Sequence, residues 1–381
     1  MSFDFESVIP RRGSGCIKFD RRPDLDPFWV ADMDFTSAPA IIEALHARVD
    51  HGVFGYAHPH PGLIEAVLEY LLRTHGVAAQ EEHIVHLGGL VPALSLAARA
   101  FCQPGEALMT TVPIYPPFLS VHRDARAELI TVDHAFTGVH WTFDWEKLDS
   151  AVTPQTRLFI LSNPQNPLGR AFSAAEITQL AEFCERHDLI LISDEIHCDL
   201  ILDPASTPHF SAARLPATLQ KRIITLLSPS KTYNIAGLGY AYAVISDDSL
   251  RRRFSAARGH TLPEINALAY FAAEAAYRHG EPWRQELLAC LRSNRHTLAS
   301  ALATQLPGVT LPNIEATYLA WLDCRALELP NPADFFEKNA GLFLSDGAQF
   351  NGPGHVRFNF GCPNRRVIEG IAKMAAALQS R

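Results

Sequence analysis

Leu226-Leu-Ser-Pro-Ser-Lys-Thr-Tyr-Asn234 sits between two apolar runs, residues 223–227 and 235–245, and carries Lys231 at its centre. Lysine is rarely set between core-forming segments, because burying an ammonium is costly unless it is paired or neutralised. The chain has six lysines, at 18, 147, 221, 231, 338 and 373. The other five stand beside charged residues, at segment ends or in amphipathic stretches, which predicts solvated amines. Ser228 and Ser230 lie within three residues of Lys231, and small hydroxyls beside a buried amine suit a phosphate. A lysine in Schiff-base linkage to an aldehyde cofactor, with hydroxyls on that cofactor's phosphate, accounts for the stretch. A lysine that merely caps a loop is the bland alternative.

Outward from this stretch, strand and helix patterns alternate. Apolar strand candidates at 84–87, 107–111, 128–132, 158–161, 189–193 and 223–227 are interleaved with helices at 92–101 and 173–187. The second helix opens on a capping box, Ser173 with Glu176. Helices are also predicted at 39–49 and 61–75. Strands apolar on both faces predict an α/β fold, a mainly parallel sheet covered by helices on both sides. Polar residues follow three of the strands: Asn163 and Asn166, Asp194 and His197, and Ser228 to Lys231. In open α/β sheets that edge is where ligands bind. Gly88-Gly89-Leu90-Val91 joins a strand to a helix and can offer free N–H groups to an anion, although such turns also occur without one.

From about residue 260 the pattern changes to helices at 266–277 and 283–305, strands at 318–322, 342–344 and 355–360, and a closing helix at 366–378. This predicts a large cofactor-binding domain over 41–265 and a smaller α+β domain over 266–381, with the irregular segment 1–40 packing against the latter. In the last strand Val356, Phe358 and Phe360 share one face and leave Arg357 and Asn359 on the other. That second face is either solvated or lines a site.

Composition excludes several classes. At 381 residues, 48% hydrophobic and 19% charged, the chain is an ordinary globular one of two to three domains. A net charge of −8 and scattered arginines argue against nucleic acid and anionic membranes. The seven cysteines lack close CxxC pairing, which predicts buried thiols in a reducing compartment and no metal site. The N-terminus lacks the apolar core of a signal peptide, and no uncharged apolar run is long enough to span a bilayer. A cytoplasmic location is expected.

Four motifs in this order, Ser162–Gly169 (SNPQNPLG), Ser193–His197 (SDEIH), Ser228–Lys231 (SPSK) and Val356–Pro363 (VRFNFGCP), resemble the aspartate-aminotransferase-like superfamily of pyridoxal-phosphate enzymes. The likeness covers essentially the whole chain. Asp32–Phe35 (DMDF), Gly52–Tyr56 (GVFGY) and Tyr318–Asp323 (YLAWLD) narrow it to bacterial cystathionine β-lyases, or carbon–sulfur lyases. The resemblance implies pyridoxal 5'-phosphate on Lys231, which also moves the α-proton. It implies Asp194 at the pyridine nitrogen, Asn166 and His197 at the phenolic oxygen, and Tyr115 stacked on the ring. Phosphate would be held by Gly89, Leu90 and Val91 through N–H groups, by Ser228 and Ser230, and by Tyr56 of a neighbouring subunit. Arg357 would grip the substrate carboxylate. Bland roles compete for some of these: a helix cap for Asp194, a turn for Asn166, core positions for Tyr115 and His197. Many transaminases carry a phosphate-binding arginine eight residues after the lysine, where this chain has Gly239; the lyase-like group also lacks it. The implied activity is β-elimination from an amino-acid substrate by a homodimer with shared sites. An aminotransferase and a non-catalytic regulator on the same fold are the alternatives.

Overall fold

Strands that are apolar on both faces must be covered on both faces, and the chain does this with one sheet and two helical layers. The computed structural model describes residues 3–259 and 262–381; residues 260 and 261, where the sequence changes character, lie outside the described residues. The main sheet contains β1 (Ile84–Leu87), β2 (Ala107–Val112), β3 (Glu128–Asp133), β4 (Thr156–Ser162), β5 (Ile190–Asp194), β6 (Ile223–Leu227) and β7 (Ala241–Val244). Their order is β1-β7-β6-β5-β4-β2-β3, with β7 antiparallel to both neighbours and every other pairing parallel.

Alternation along the central strands divides the core in two. Leu108, Ile160, Ile192 and Ile224 pack with the helix Leu90–Phe101 on one side. Met109, Phe159, Leu191 and Ile223 pack with the helix Ala174–Arg186 on the other. The register aligns the ends of three strands, since Ser162 pairs with Asp194 and Asp194 with Leu226. The polar residues that follow β4, β5 and β6 therefore start from one line along the carboxyl edge. The helix after β1 begins at Leu90, two residues before the predicted start. Pro92 is tolerated there because first-turn N–H groups have no helical acceptor in any case.

A second, three-stranded antiparallel sheet places β10 (His355–Asn359) between β8 (Leu319–Asp323) and β9 (Ser345–Asp346). The helices Glu281–Gln305 and Asn364–Gln379 share its core, as do Phe5, Phe28, Met33 and Phe35 of the N-terminal segment. The strand predicted at 342–344 divides in two. Leu342–Phe343 pairs in parallel with Asp26–Pro27, and β9 then joins the small sheet. Among the described residues no helix is long and apolar enough to cross a membrane.

One lysine contradicts its expected exposure. Lys18 is only 1% exposed, because its amine reaches Asp34 and the Asp32 carbonyl, each at 2.8 Å. A paired ammonium can be buried where a free one cannot.

The two-sided burial of β5 yields a stability prediction. Ile192 is fully buried at the sheet centre. Ile192→Ala should lower unfolding stability by about 2–5 kcal/mol, measured by urea denaturation; a loss below about 1 kcal/mol would mean that the layers close over the gap.

Candidate active site

The carboxyl ends of five parallel strands open into one cavity of about 350 Å³, where β9 and β10 of the small sheet meet the large one. Its wall includes Trp29, Gly89, Leu90, Val91, Tyr115, Asn166, Asp194, His197, Ser228, Ser230, Lys231, Ser345, Phe350 and Arg357. Eleven of the twelve residues singled out by sequence thus line one space. The exception is Tyr56, which is fully exposed and lies outside this wall.

Lys231 follows β6 directly, and its amine donates to the Ala31 carbonyl at 2.7 Å. Burial disfavours the ammonium and brings its pKa down to about 8, against the opposing pull of the Asp32 and Asp194 carboxylates. Asp194 ends β5 and accepts the Ile196 N–H at 3.0 Å. Burial drives its pKa up to about 7, helped by Glu195 and opposed by that hydrogen bond and by Lys231. Glu195 itself faces the other way, bonded to Ser193, the Ala212 N–H and His209. That anchoring fixes the direction in which Asp194 projects.

His197 is pushed down to a pKa of about 3, mainly by burial and then by Lys231 and Arg357, so its imidazole is neutral. Its Nδ1 is buried and has no partner among the described residues. The loop that carries it is held from beneath by Asp199, which accepts from the Tyr70 hydroxyl at 2.5 Å and lies 3.2 Å from His75. Tyr115 follows β2 and packs against the patch formed by Leu168, Trp321 and Phe350.

Arg357 contradicts the solvated alternative. It is 3% exposed, because the face of β10 that carries it is covered by the Trp29 main chain, Asn166 and the Phe350 ring. Its Nη1 donates to Asn166 Oδ1 at 2.9 Å and its Nη2 to the Trp29 carbonyl at 2.7 Å, while Nε has no partner among the described residues. The guanidinium also lies 4.7 Å over the Phe350 ring. Burial lowers its pKa to about 10, so it stays charged at neutral pH. Asn163, the other asparagine of its motif, turns away and bonds the Phe172 N–H and the Phe210 carbonyl.

At the opposite end of the cavity, Gly89 caps the helix Leu90–Phe101, whose first turn points N–H groups outward. Ser228 donates to the Tyr240 carbonyl at 2.6 Å, and its oxygen lies 2.9 Å from Ser230 Oγ. Gly239 has φ of 65°, and a Cβ there would come within 3.2 Å of the Gly88 carbonyl. A longer side chain at this position would therefore be strained.

Sequence reasoning missed Trp29, Ala31, Ser345 and Phe350. Two of these act through main-chain carbonyls, which leave no mark in a side-chain pattern.

Residues 30–373 match the model of the family described as aminotransferase class I and II. The chain belongs to that family. Its relatives include the cystathionine β-lyase PatB of Bacillus subtilis (strain 168), 36% identical over 98% of this chain and all of that protein. The crystal structure of OvoB superposes with a TM-score of 0.96 at 39% identity, covering 100% of both chains. The pyridoxal-phosphate-bound C–S lyase of Staphylococcus hominis gives 0.91 at 30% identity, covering 99% of this chain and 98% of that one. The donor set suits that cofactor's functional groups: an amine for an aldehyde, a carboxylate for a ring nitrogen, and hydroxyl and helix-terminal N–H groups for a phosphate. The unpartnered His197 Nδ1 and Arg357 Nε are buried polar atoms that a polar ligand would satisfy.

The depressed pKa of Lys231 gives a direct chemical test. Below pH of about 8 the amine is protonated and unreactive, and above it the amine is neutral. In cofactor-free protein, acylation of Lys231 followed by peptide mass spectrometry should rise with a midpoint near that value. A midpoint at the ordinary lysine pKa, about 10.4, would show that burial does not shift it.

Proposed function

We propose that the chain is a pyridoxal-phosphate-dependent carbon–sulfur β-lyase that converts cystathionine or a related S-substituted L-cysteine to a thiol, pyruvate and ammonia. The observation that carries this is the convergence of Lys231, Asp194, Asn166 and Arg357 in one cavity faced by a helix N-terminus. The match to PatB and the C–S lyases supports elimination as the outcome.

Bound pyridoxal phosphate supplies an aldehyde that captures the substrate amine and a protonated ring that accepts the electron pair left by the α-proton. Lys231 Nζ would hold the cofactor and, with a pKa near 8, is basic enough to accept that proton and readily neutral. Asp194 would pair with the ring nitrogen; a proton on that nitrogen would favour the ionised carboxylate. Asn166 and neutral His197 would hold the phenolic oxygen, and Tyr115 the ring face. The N–H groups of Gly89, Leu90 and Val91 and the Ser230 hydroxyl would bind phosphate. Ser228 would join them by turning its proton from the Tyr240 carbonyl. Arg357 would take the substrate carboxylate.

The second copy enters through Tyr56. Val53, Phe54 and Tyr56 are all exposed in one loop, and a cluster of exposed large apolar and aromatic side chains marks an interface. The protein is read as a cytoplasmic homodimer in which Tyr56 reaches its partner's phosphate site.

Offered L-cystathionine without a 2-oxo acid, the enzyme should release pyruvate through many cycles. An aminotransferase would stop after one equivalent and resume when an oxo acid is added. Arg357→Ala should raise KM roughly ten- to hundredfold, the loss of a charge-assisted pair worth about 1.5–3 kcal/mol, with cofactor absorbance retained. Unchanged kinetics would remove Arg357 from substrate binding.

Tyr56→Ala and Lys231→Ala should each be nearly inactive alone. In verified heterodimers one site carries both lesions and the other neither, so activity should recover toward half the wild-type value. No recovery would place Tyr56 in its own chain's site or in none.

A further inference from the structure

Asp34 takes no part in the chemistry above, yet Arg11, Lys18 and Arg366 converge on it and its neighbour Asp32. Asp34 Oδ1 accepts from Lys18 at 2.8 Å and from Arg11 at 2.9 Å, and its Oδ2 accepts from Arg366 at 2.6 Å. Asp32 takes the other arm of Arg11 at 2.6 Å. The Asp34 side chain is 5% exposed, beside Lys18 at 1% and Arg366 at 10%. Solvent screens such a cluster poorly, and removing one member leaves buried charge uncompensated.

What the cluster holds is the irregular, bent strap of residues 28–35. Two of its carbonyls point into the cavity: that of Trp29 accepts from Arg357 Nη2 and Ser345, and that of Ala31 accepts from Lys231 Nζ. Others are tied down on the far side. The carbonyls of Val30 and Asp32 accept from Asn359, and those of Met33 and Phe35 from Asn234. The strap therefore touches both the proposed carboxylate grip and the proposed anchor lysine. Asp34 touches neither and is absent from the cavity wall.

We propose that Asp34 is a positioning residue: by clamping Arg11, Lys18 and Arg366 it sets the strap whose Trp29 and Ala31 carbonyls orient Arg357 and Lys231. The role rests on the lyase reading for its kinetic consequence and on packing alone for its structural one. Displacement of reacting groups by about 1 Å can slow an enzyme by about a hundredfold, so the clamp matters without meeting substrate.

The test is Asp34→Asn in the full-length, cofactor-loaded protein, with rates normalised to bound cofactor and hydrogen exchange followed by mass spectrometry. The expected result is a KM for L-cystathionine raised by about tenfold or more. Faster exchange should be confined to the peptide covering 28–35, with β4 unchanged. A merely structural role predicts fewer active molecules at unchanged KM, or faster exchange throughout, and either overturns the proposal. If that variant does not fold, Lys18→Met leaves two cations on two carboxylates. It should give a smaller KM rise with the same confined change in exchange, and an unchanged KM and unchanged exchange overturn the proposal. A wild-type enzyme that releases no pyruvate would sink the lyase reading instead, and the exchange comparison would still decide whether Asp34 holds the strap.

Discussion

Desolvation of two ionisable groups, Lys231 and Asp194, is the constraint around which this molecule is arranged. Each is drawn toward its neutral form by burial, the lysine down to about 8 and the aspartate up to about 7. Among the described residues neither makes a salt bridge, which is costly in a purely structural core. The cost is sustained because both groups sit at the ends of neighbouring strands locked in register, where they cannot retreat to solvent. Strongly shifted groups that share a cavity are the mark of a working site.

The rest of the architecture serves that edge. Parallel strands with helices on both faces deliver five carboxyl ends to one line, and the helix after β1 turns its N-terminus toward the same space. The small sheet supplies the complementary wall through β9 and β10, bringing Ser345 and Arg357 opposite the strand ends. Between the two sheets runs the strap of residues 28–35, whose main chain bonds to Ser345, Arg357 and Asn359 of the small sheet and to Lys231 and Asn234 in the turn after β6. Packing, backbone hydrogen bonding and a buried charge cluster thus converge on a few ångströms of placement at Lys231 and Arg357.

Much of this was legible in sequence because its signals are local. An apolar run followed by a polar residue marks a strand end wherever it occurs, so Asn166, Asp194 and Lys231 could be assigned to one edge before their neighbours were known. The α/β class followed from the same runs. What escaped notice depends on long-range partners. Nothing near Lys18 reveals that Asp34 and, through it, Arg366 lie beside it in the fold. Arg357 alternates with apolar residues as a solvated residue would, and only the partners packed over that face, Trp29, Asn166 and Phe350, decide otherwise. The apolar run 235–245 carries no sign of direction. Its strand turns antiparallel because the connection from β6 holds only the lysine turn and a short helical turn, with no crossover helix to bring it round. Main-chain acceptors such as the Ala31 carbonyl have no residue signature at all.

The central claim is that Lys231 is the covalent anchor of pyridoxal phosphate. Purified protein loaded with the cofactor should be treated with borohydride, digested, and searched by mass spectrometry for the phosphopyridoxyl group. The account predicts one modified residue, Lys231, with stoichiometry approaching one per chain. Modification on another lysine, or none after verified cofactor binding, would contradict it.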